Sequence, residues 1–241
     1  NPSTKTWRST TKNILSDISG NIASAAEFDP VSGNIIILTR LGLYVYNPVS
    51  ETFTRKMAFS RYDFGYAGNL IYYPPNQKMY MLLHNGETFE ISLDRNNFAS
   101  STITKLTLTG NYRPVVNSTV SGASDEGETG WAYDSVNRLI GGGVYNGIFY
   151  VIDPVGRTIK GISLPTNQGT IGNISYMHTI DFDALHGVYI FMTVNRVNYV
   201  GNYRTWAYRY DPANGQGDQS PSPSAQTTTS QQTTQIVDAT S

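Results

Sequence analysis

An all-β chain made of four short antiparallel units is what this sequence predicts, and three observations carry the prediction. A turn dipeptide closes run after run of aromatic and β-branched residues: Asn47-Pro48, Asp94-Arg95, Asp153-Pro154 and Asp211-Pro212, with a further copy at Asn1-Pro2. Between Gly, Asn and Pro boundaries the apolar residues alternate with polar ones, the period of a strand, and no stripe of helical period competes. An aromatic also precedes another set of turns, at Phe28-Asp29, Tyr72-Tyr73, Tyr133-Asp134 and Phe182-Asp183, with spacings of 44, 61 and 49 residues. Those spacings match one small sheet per repeat, the largest of them holding a loop insertion. Repeated four-stranded sheets that close on themselves give a β-propeller, here expected with four blades of four antiparallel strands, the alternative being a piece of a six- or seven-bladed ring.

The elements follow in order. The first unit has strands at residues 25–29, 34–40, 43–47 and 53–59, and the second at 69–73, 78–84, 88–94 and 101–108. The third uses residues 130–134, 138–143, 148–153 and 158–164. The fourth has 179–183, 188–194 and 205–211, and then the chain passes into Gly, Gln, Ser and Pro. Residues 4–9, which include Trp7, supply the missing strand, so that the N-terminal strand closes the last blade and leaves no open sheet edge. The propeller domain is thus expected over residues 1–214. Residues 215–241, with Pro221, Pro223 and a Ser/Thr/Gln run, are too polar to offset their chain entropy by burial and are expected as a tail or linker.

Ile140-Gly141-Gly142-Gly143 closing a second strand, then Tyr150-Val151-Ile152-Asp153-Pro154 and an apolar fourth strand, resembles a kelch blade. Tyr44-Val45-Tyr46-Asn47-Pro48 followed by Phe53 does so too, and Asn1-Pro2-Ser3-Thr4-Lys5-Thr6-Trp7 is similar to the kelch turn that leads into a tryptophan. The likeness spans roughly residues 1–212, but only the third unit has the glycine pair, and Phe53, Phe98 and Ile159 stand where the tryptophan belongs. The resemblance implies a β-propeller. Kelch propellers include oxidases, binding scaffolds and structural proteins, so the fold does not select the function.

Composition narrows the classes. The 241 residues carry only 15% charged side chains, with 17 Tyr and 22 Gly, which is the profile of an extracellular or cell-surface β-protein. A formal charge of −1 argues against a general nucleic-acid or anionic-membrane binder. No apolar run is long enough for a transmembrane helix, and the start lacks signal-peptide features, so any signal peptide is expected to have been removed already. The absence of cysteine removes disulfides, thiolate metal sites and cysteine nucleophiles. Asn117-Ser118-Thr119 and Asn173-Ile174-Ser175 match the N-glycosylation pattern, placing candidate glycans on Asn117 and Asn173.

The loops joining strand four to the next strand one, and strand two to strand three, gather on one face of a propeller. Here they carry the candidate ligand-binding residues Tyr62, Asp63, Tyr112, Arg113, Glu126, Glu128, Tyr145, Asn146, Arg196 and Tyr199. Flat aromatic faces flanked by Asn, Asp and Arg suit sugar rings and their hydroxyls, and equally suit protein contact. Asp125-Glu126-Gly127-Glu128 offers three carboxylates but no calcium-loop pattern, so solvated loop charge accounts for it. Glu27 and Asp181 share a register in two first strands, with a structural role expected for both. His84, His178 and His186 come from different repeat positions and make no metal set. Gly141-Gly142-Gly143 lacks the helix and Lys-Ser/Thr of a phosphate loop, so close strand packing explains it better, and no Gly-x-Ser-x-Gly elbow occurs.

The leading expectation is therefore a secreted, non-enzymatic module with an adhesive or structural role in an extracellular assembly, filaments included. It needs no cofactor or metal, and its partners are other copies of itself, through the tail or the loop face. The alternative is a carbohydrate-binding or carbohydrate-active propeller using the aromatic loop face. Enzyme chemistry would have to come from dispersed loop residues.

Overall fold

In the computed structural model, the described residues are 23–39, 42–58, 68–83, 87–110, 130–145, 148–163, 176–197 and 200–213. They form four small sheets in the arrangement of a four-bladed β-propeller, with a single 3₁₀ turn at Phe98–Ser100 as the helical element among them. The first sheet is β1 (Ala23–Asp29), β2 (Asn34–Thr39), β3 (Gly42–Asn47) and β4 (Thr52–Ala58). The second is β5 (Gly68–Tyr73), β6 (Lys78–Leu83), β7 (Thr88–Ser92) and β8 (Thr102–Leu106). Each runs in chain order, first strand to fourth. The third sheet comprises β10 (Trp131–Asp134), β11 (Leu139–Tyr145), β12 (Ile148–Asp153) and β13 (Thr158–Ser163), with β9 (Thr109–Gly110) added at its outer edge. The fourth holds β14 (Tyr176–Asp183), β15 (Val188–Val197) and β16 (Val200–Tyr208). The strand expected at residues 4–9, and the closure it would provide, lie outside the described residues, as does the tail. The sheets group into two compact units, the first two sheets in one and the last two in the other.

One turn design recurs at the same end of every sheet. After the first strand the chain reverses through four residues and places the next in left-handed backbone: Gly33 (φ 72°), Gln77 (φ 57°), Arg138 (φ 56°) and Gly187 (φ 64°). The turns between β3 and β4 and between β12 and β13 do the same at Glu51 and Arg157, each with φ 53°. An Asp or Asn side chain holds the turn open from within. Asn47 Oδ1 accepts the Val49 and Ser50 N–H groups at 2.9 Å each, Asp134 Oδ1 those of Val136 and Asn137 at 2.9 Å, and Asp153 Oδ1 those of Val155 and Gly156 at 3.0 and 2.8 Å. The residue between them is often proline, which has no N–H to satisfy and whose fixed φ suits the position. These contacts satisfy turn amides that the sheets cannot, and they brace the turns in which Glu51, Arg138 and Arg157 take a conformation that disfavours them; the turn of Gln77 opens on Tyr73 instead, and there the Gln77 N–H donates to the Tyr73 carbonyl at 3.0 Å.

The cores sit between sheets within each unit. In the first, Ile36, Leu38, Leu43 and Val45 pack with Leu70, Met79, Met81, Phe89 and Ile91. In the second, Ala132, Phe149, Val151 and Ile162 pack with Tyr189, Phe191, Trp206, Tyr208 and Tyr210. The second core is aromatic because its facing strand is nearly bare. A Cβ on Gly141 would lie 2.5 Å from the Tyr189 ring, and one on Gly143 would enter the Trp131 ring. The glycine triplet is thus a packing device, as its sequence context indicates. Counted from their turns, Gly141 corresponds to Ile36 and Tyr189 to Met79, so an aliphatic pair in one unit becomes an empty position and a large ring in the other.

Two features depart from the periodicity. β9 pairs in parallel with β13, Thr109 opposite Thr158 and Gly110 opposite Ile159, which the run of polar residues around it conceals. The β15–β16 hairpin stays paired as far as Val197 opposite Val200, well past the expected end at residue 194, because Asn195, Arg196, Gly201 and Asn202 continue a ladder that their side chains do not advertise.

Gly141→Ile is expected to overpack Tyr189 and destabilise the protein by about 1–3 kcal/mol. The double variant Gly141→Ile/Tyr189→Met, which recreates the aliphatic pair, should recover a measurable part of that loss in a denaturant double-mutant cycle; strictly additive effects would show that the two positions do not share one space.

Candidate functional site

Most of the residues singled out for a loop-face site, namely Tyr62, Asp63, Tyr112, Arg113, Glu126, Glu128, Asn146 and Tyr199, lie outside the described residues, as do Asn117 and Asn173. Tyr145 and Arg196 are described in backbone only, and they belong to strands, not loops: Tyr145 in β11 pairs with Ile148, and Arg196 in β15 pairs with Gly201. Both lie at the ends of their sheets opposite the Asp and Asn turns. Trp131, which opens β10 at that same end of the third sheet, is buried, and its indole Nε1–H finds no acceptor among the described residues. Among those residues no group of three His, Asp or Glu side chains converges in a way that could hold a metal.

The turn end is where the described polar chemistry concentrates. Asp29 is fully buried, and two of its neighbours are its own turn: Ser32 Oγ donates to Oδ2 at 2.7 Å and Val31 N–H to Oδ1 at 3.3 Å. The rest of its shell comes from the second sheet, where Arg95 forks across the carboxylate with Nε to Oδ2 and Nη2 to Oδ1, both at 3.0 Å. The same Nη2 donates to the Gln77 carbonyl at 2.9 Å, so one guanidinium ties two turns of its own sheet to the neighbouring sheet. Burial alone would push the Asp29 carboxyl up, but the Arg95 and Ser32 hydrogen bonds and the Arg95 charge hold it below the usual carboxylate range. In the other unit Asp134 is equally buried. Its Oδ2 accepts Asn137 Nδ2 at 2.8 Å, and Asn137 also reaches the Tyr210 carbonyl at 3.5 Å. Burial, and then the Asp134 carboxylate beside it, push the Tyr189 hydroxyl up. Arg209 Nη2 donates to the His186 carbonyl at 2.6 Å, the counterpart of the Arg95 to Gln77 contact.

A second network lies within the second sheet. Lys78 Nζ meets Glu90 Oε1 at 2.6 Å, Tyr80 Oη donates to Glu90 Oε2 at 2.9 Å, and Asn76 Nδ2 donates to Tyr80 Oη at 2.7 Å. Burial and the Glu90 carboxylate together keep the Tyr80 hydroxyl protonated, so this chain is a structural brace across β6 and β7.

Glu27 and Asp181 share their register, Glu27 opposite Ile36 and Asp181 opposite Ile190, but not their surroundings. Asp181 is exposed and accepts the Phe182 N–H at 2.8 Å. Glu27 is half-buried where β1 meets β5, and desolvation pushes its carboxyl up to about 7 although the Tyr72 N–H donates to it. Sequence gave no signal for that difference, because what dries Glu27 is a strand of another sheet.

The outer surface of the turns carries the feature that sequence reading missed. Five of the turns lift one aliphatic side chain into solvent at the third position: Val31 is 50% exposed, Val49 92%, Val136 61%, Val155 67% and Leu185 87%, whereas the β5–β6 turn has Pro75 there. The two residues of the closing Asp or Asn contacts lie at and beside this tip, so the tip is held rigidly. Isolated exposed aliphatics are ordinary, but among the described residues five of the seven large exposed hydrophobics occupy equivalent positions of one repeated turn.

No protein-family model and no curated protein matches the sequence. Solved structures do resemble the fold. A chain of the structure described as "COPII on membranes, outer coat vertex" superposes with a TM-score of 0.53 at 12% identity over 83% of this chain and 49% of that one. A chain of the COPII coat assembled on membranes gives the same score and identity with 27% of its length covered. An auxiliary nutrient binding protein from Bacteroides thetaiotaomicron gives 0.47 at 10% identity over 69% of this chain and 44% of that one. This chain spans less than half the length of each, and at these identities the likeness is one of fold.

Arg95→Met should leave the buried Asp29 charge unpaired and destabilise the protein by about 3–5 kcal/mol in denaturant titration; a change under about 1 kcal/mol would mean that the pair contributes nothing net. Glu27 predicts a pH dependence of its own. From its ordinary value of 4.5 up to about 7 the unfolded chain has released the proton while the folded chain retains it, so stability should fall as pH rises through that window. Glu27→Gln should remove that component of the slope, and an unchanged pH profile in the variant would assign the effect elsewhere.

Proposed function

We propose that this chain is a secreted, non-enzymatic β-propeller module with an adhesive or structural role in an extracellular assembly, and that it associates with copies of itself. The observation that carries the reading is the set of five rigid turns, each presenting one exposed aliphatic tip. Pre-organised apolar points lose little conformational entropy on contact, which suits a surface meant to be covered by protein. The near-neutral charge and the scarcity of charged residues favour association at moderate concentration, and the Tyr-, Gly-, Ser- and Thr-rich composition fits an extracellular setting. Within this reading residues 1–214 form the propeller, residues 215–241 a tail, and Asn117 and Asn173 are its glycosylation sites. The kelch-like character of the repeat belongs here too. It is supported by the glycines of β11 and by the Tyr150-Val151-Ile152-Asp153-Pro154 strand and turn, which are blade-building features and carry no catalytic group.

A second reading, a carbohydrate-binding propeller, is favoured by one observation: the buried Nε1–H of Trp131 finds no acceptor among the described residues at the end of the third sheet where Tyr145 also lies. A sugar hydroxyl would supply that acceptor, with Tyr62, Tyr112, Arg113, Glu126, Arg196 and Tyr199 as the remaining candidates for contact.

Light scattering on the full chain separates the two. The assembly reading predicts a mean mass that rises with protein concentration and rises further in sulfate, because apolar contacts strengthen when the salt is excluded from the surface. A monomer at every concentration that binds glycans, with binding lost in Trp131→Phe, would favour the second reading. Robust turnover of a glycan abolished by one carboxylate substitution would overturn both.

A further inference from the structure

We propose that the tail segment 235–239 of a second copy seats on the aliphatic turn tips of the third and fourth sheets, with Val136 and Leu185 at the centre of the seat. The inference rests on the assembly reading and names the surface and the segment through which it operates.

The seat is defined by contacts within one unit. The β10–β11 and β12–β13 turns lie at the same end of the third sheet, and they carry Val136 and Val155, 61% and 67% exposed. The β14–β15 turn of the fourth sheet carries Leu185, 87% exposed. The two sheets bring these tips together: a Cβ placed on Gly187 would lie 3.8 Å from Val136 Cγ2, and Asn137 beside Val136 reaches the Tyr210 carbonyl. Buried Asp134 and the exposed His186–Asp183 contact of 2.5 Å brace the two turns, so the apolar tips are displayed on a surface that does not need to rearrange. Rigid apolar tips spaced along two turns offer contacts to alternate side chains of an extended peptide.

What covers them is indicated by where the chain goes. It leaves the described fold at Ala213, inside the Asp211 turn, whose Oδ1 accepts the Ala213 N–H at 2.9 Å, at this same end of the fourth sheet. Beyond that point the sequence has one aliphatic pair, Ile236-Val237, in an otherwise polar stretch rich in Ser, Thr and Gln. Both are β-branched, the type that fits extended backbone, and Asp238 follows directly, while an exposed Arg157 stands two residues after Val155. For a Ser/Gly-type linker of that length the root-mean-square span is about 25 Å, a reach that extends to a neighbouring copy. A contact between tail and turn surface is heterologous: a copy that receives one tail still offers its own, so seating propagates along a row of copies and does not close by necessity.

The test uses the full chain. In sedimentation velocity the wild-type protein should associate with increasing concentration. Val136→Lys/Leu185→Lys, placed at exposed tips that leave the core intact, should weaken that association at least tenfold with an unchanged near-ultraviolet dichroism spectrum and melting temperature. Ile236→Lys should weaken it to the same extent, and the triple variant no further, because both changes remove one contact. A photo-crosslinking residue at position 236, in a mixture of isotope-labelled and unlabelled chains, should join labelled to unlabelled chains at the peptides that carry Val136 and Leu185. Association that persists undiminished in the tip variant, or crosslinks that fall elsewhere, would overturn this seat while leaving the assembly reading standing. Crosslinks confined to one chain would overturn the role of the second copy. A wild-type chain that stays monomeric at all concentrations would remove the assembly reading and this inference together.

Discussion

The structure depends on a carboxylate that stands at the end of a first strand and faces two ways. Toward its own sheet, Asp29 or Asp134 accepts the amides of the turn that follows, fixing where the second strand begins and therefore the register of the whole blade. Away from that sheet it meets the neighbour: Arg95 for Asp29, and for Asp134 the Tyr189 hydroxyl beside it, while Asn137, which donates to Asp134, also reaches the Tyr210 carbonyl. A buried charge with incomplete partners is destabilising by several kcal/mol, so both partners must be in place before either joint becomes favourable. The two units solve one problem with different chemistry. One uses a guanidinium fork over an aliphatic core, and the other uses amide and phenol groups over an aromatic one.

That difference in the joints is linked to the cores beneath them. Where β2 has Ile36, β6 contributes Met79 to the same aliphatic core; where β11 has Gly141, a tyrosine ring fills the space and its hydroxyl arrives beside Asp134. Volume in the core and polarity at the joint are therefore set by the same pair of positions. The edge-on contacts of Phe149 with Tyr189 at 5.0 Å and of Phe182 with Tyr189 at 5.0 Å hold that ring in orientation.

Much of this was legible in the sequence, and the reason is local. Strand positions follow from alternation, and the turns from Asp or Asn followed by Pro, since both signals lie within a few residues of the structure they create. β9 was not legible, because Thr109 and Gly110 take their place in the third sheet from the backbone of Thr158 and Ile159, far along the chain. The extended β15–β16 hairpin escaped for a related reason: its Asn and Arg side chains say nothing about a ladder held by main-chain groups. Glu27 reads like Asp181 and differs only because β5 covers it. The aliphatic tips stand in the sequence as Pro-Val, Ser-Val and Ala-Leu steps inside the turns, yet nothing in those steps shows that the turn geometry aims them outward.

The central claim is that the buried first-turn carboxylates organise the fold, whereas their look-alikes in the outer turns only close a loop. Thermal unfolding of Asp134→Ala and Asp153→Ala tests it within one sheet, because both side chains accept two turn amides with nearly the same geometry and only Asp134 is buried against a neighbouring sheet. At about 2–4 °C per kcal/mol for a chain of this size, the account predicts a melting temperature lowered by roughly 10 °C or more for Asp134→Ala and by only a few degrees for Asp153→Ala. Equal shifts in the two variants would contradict it.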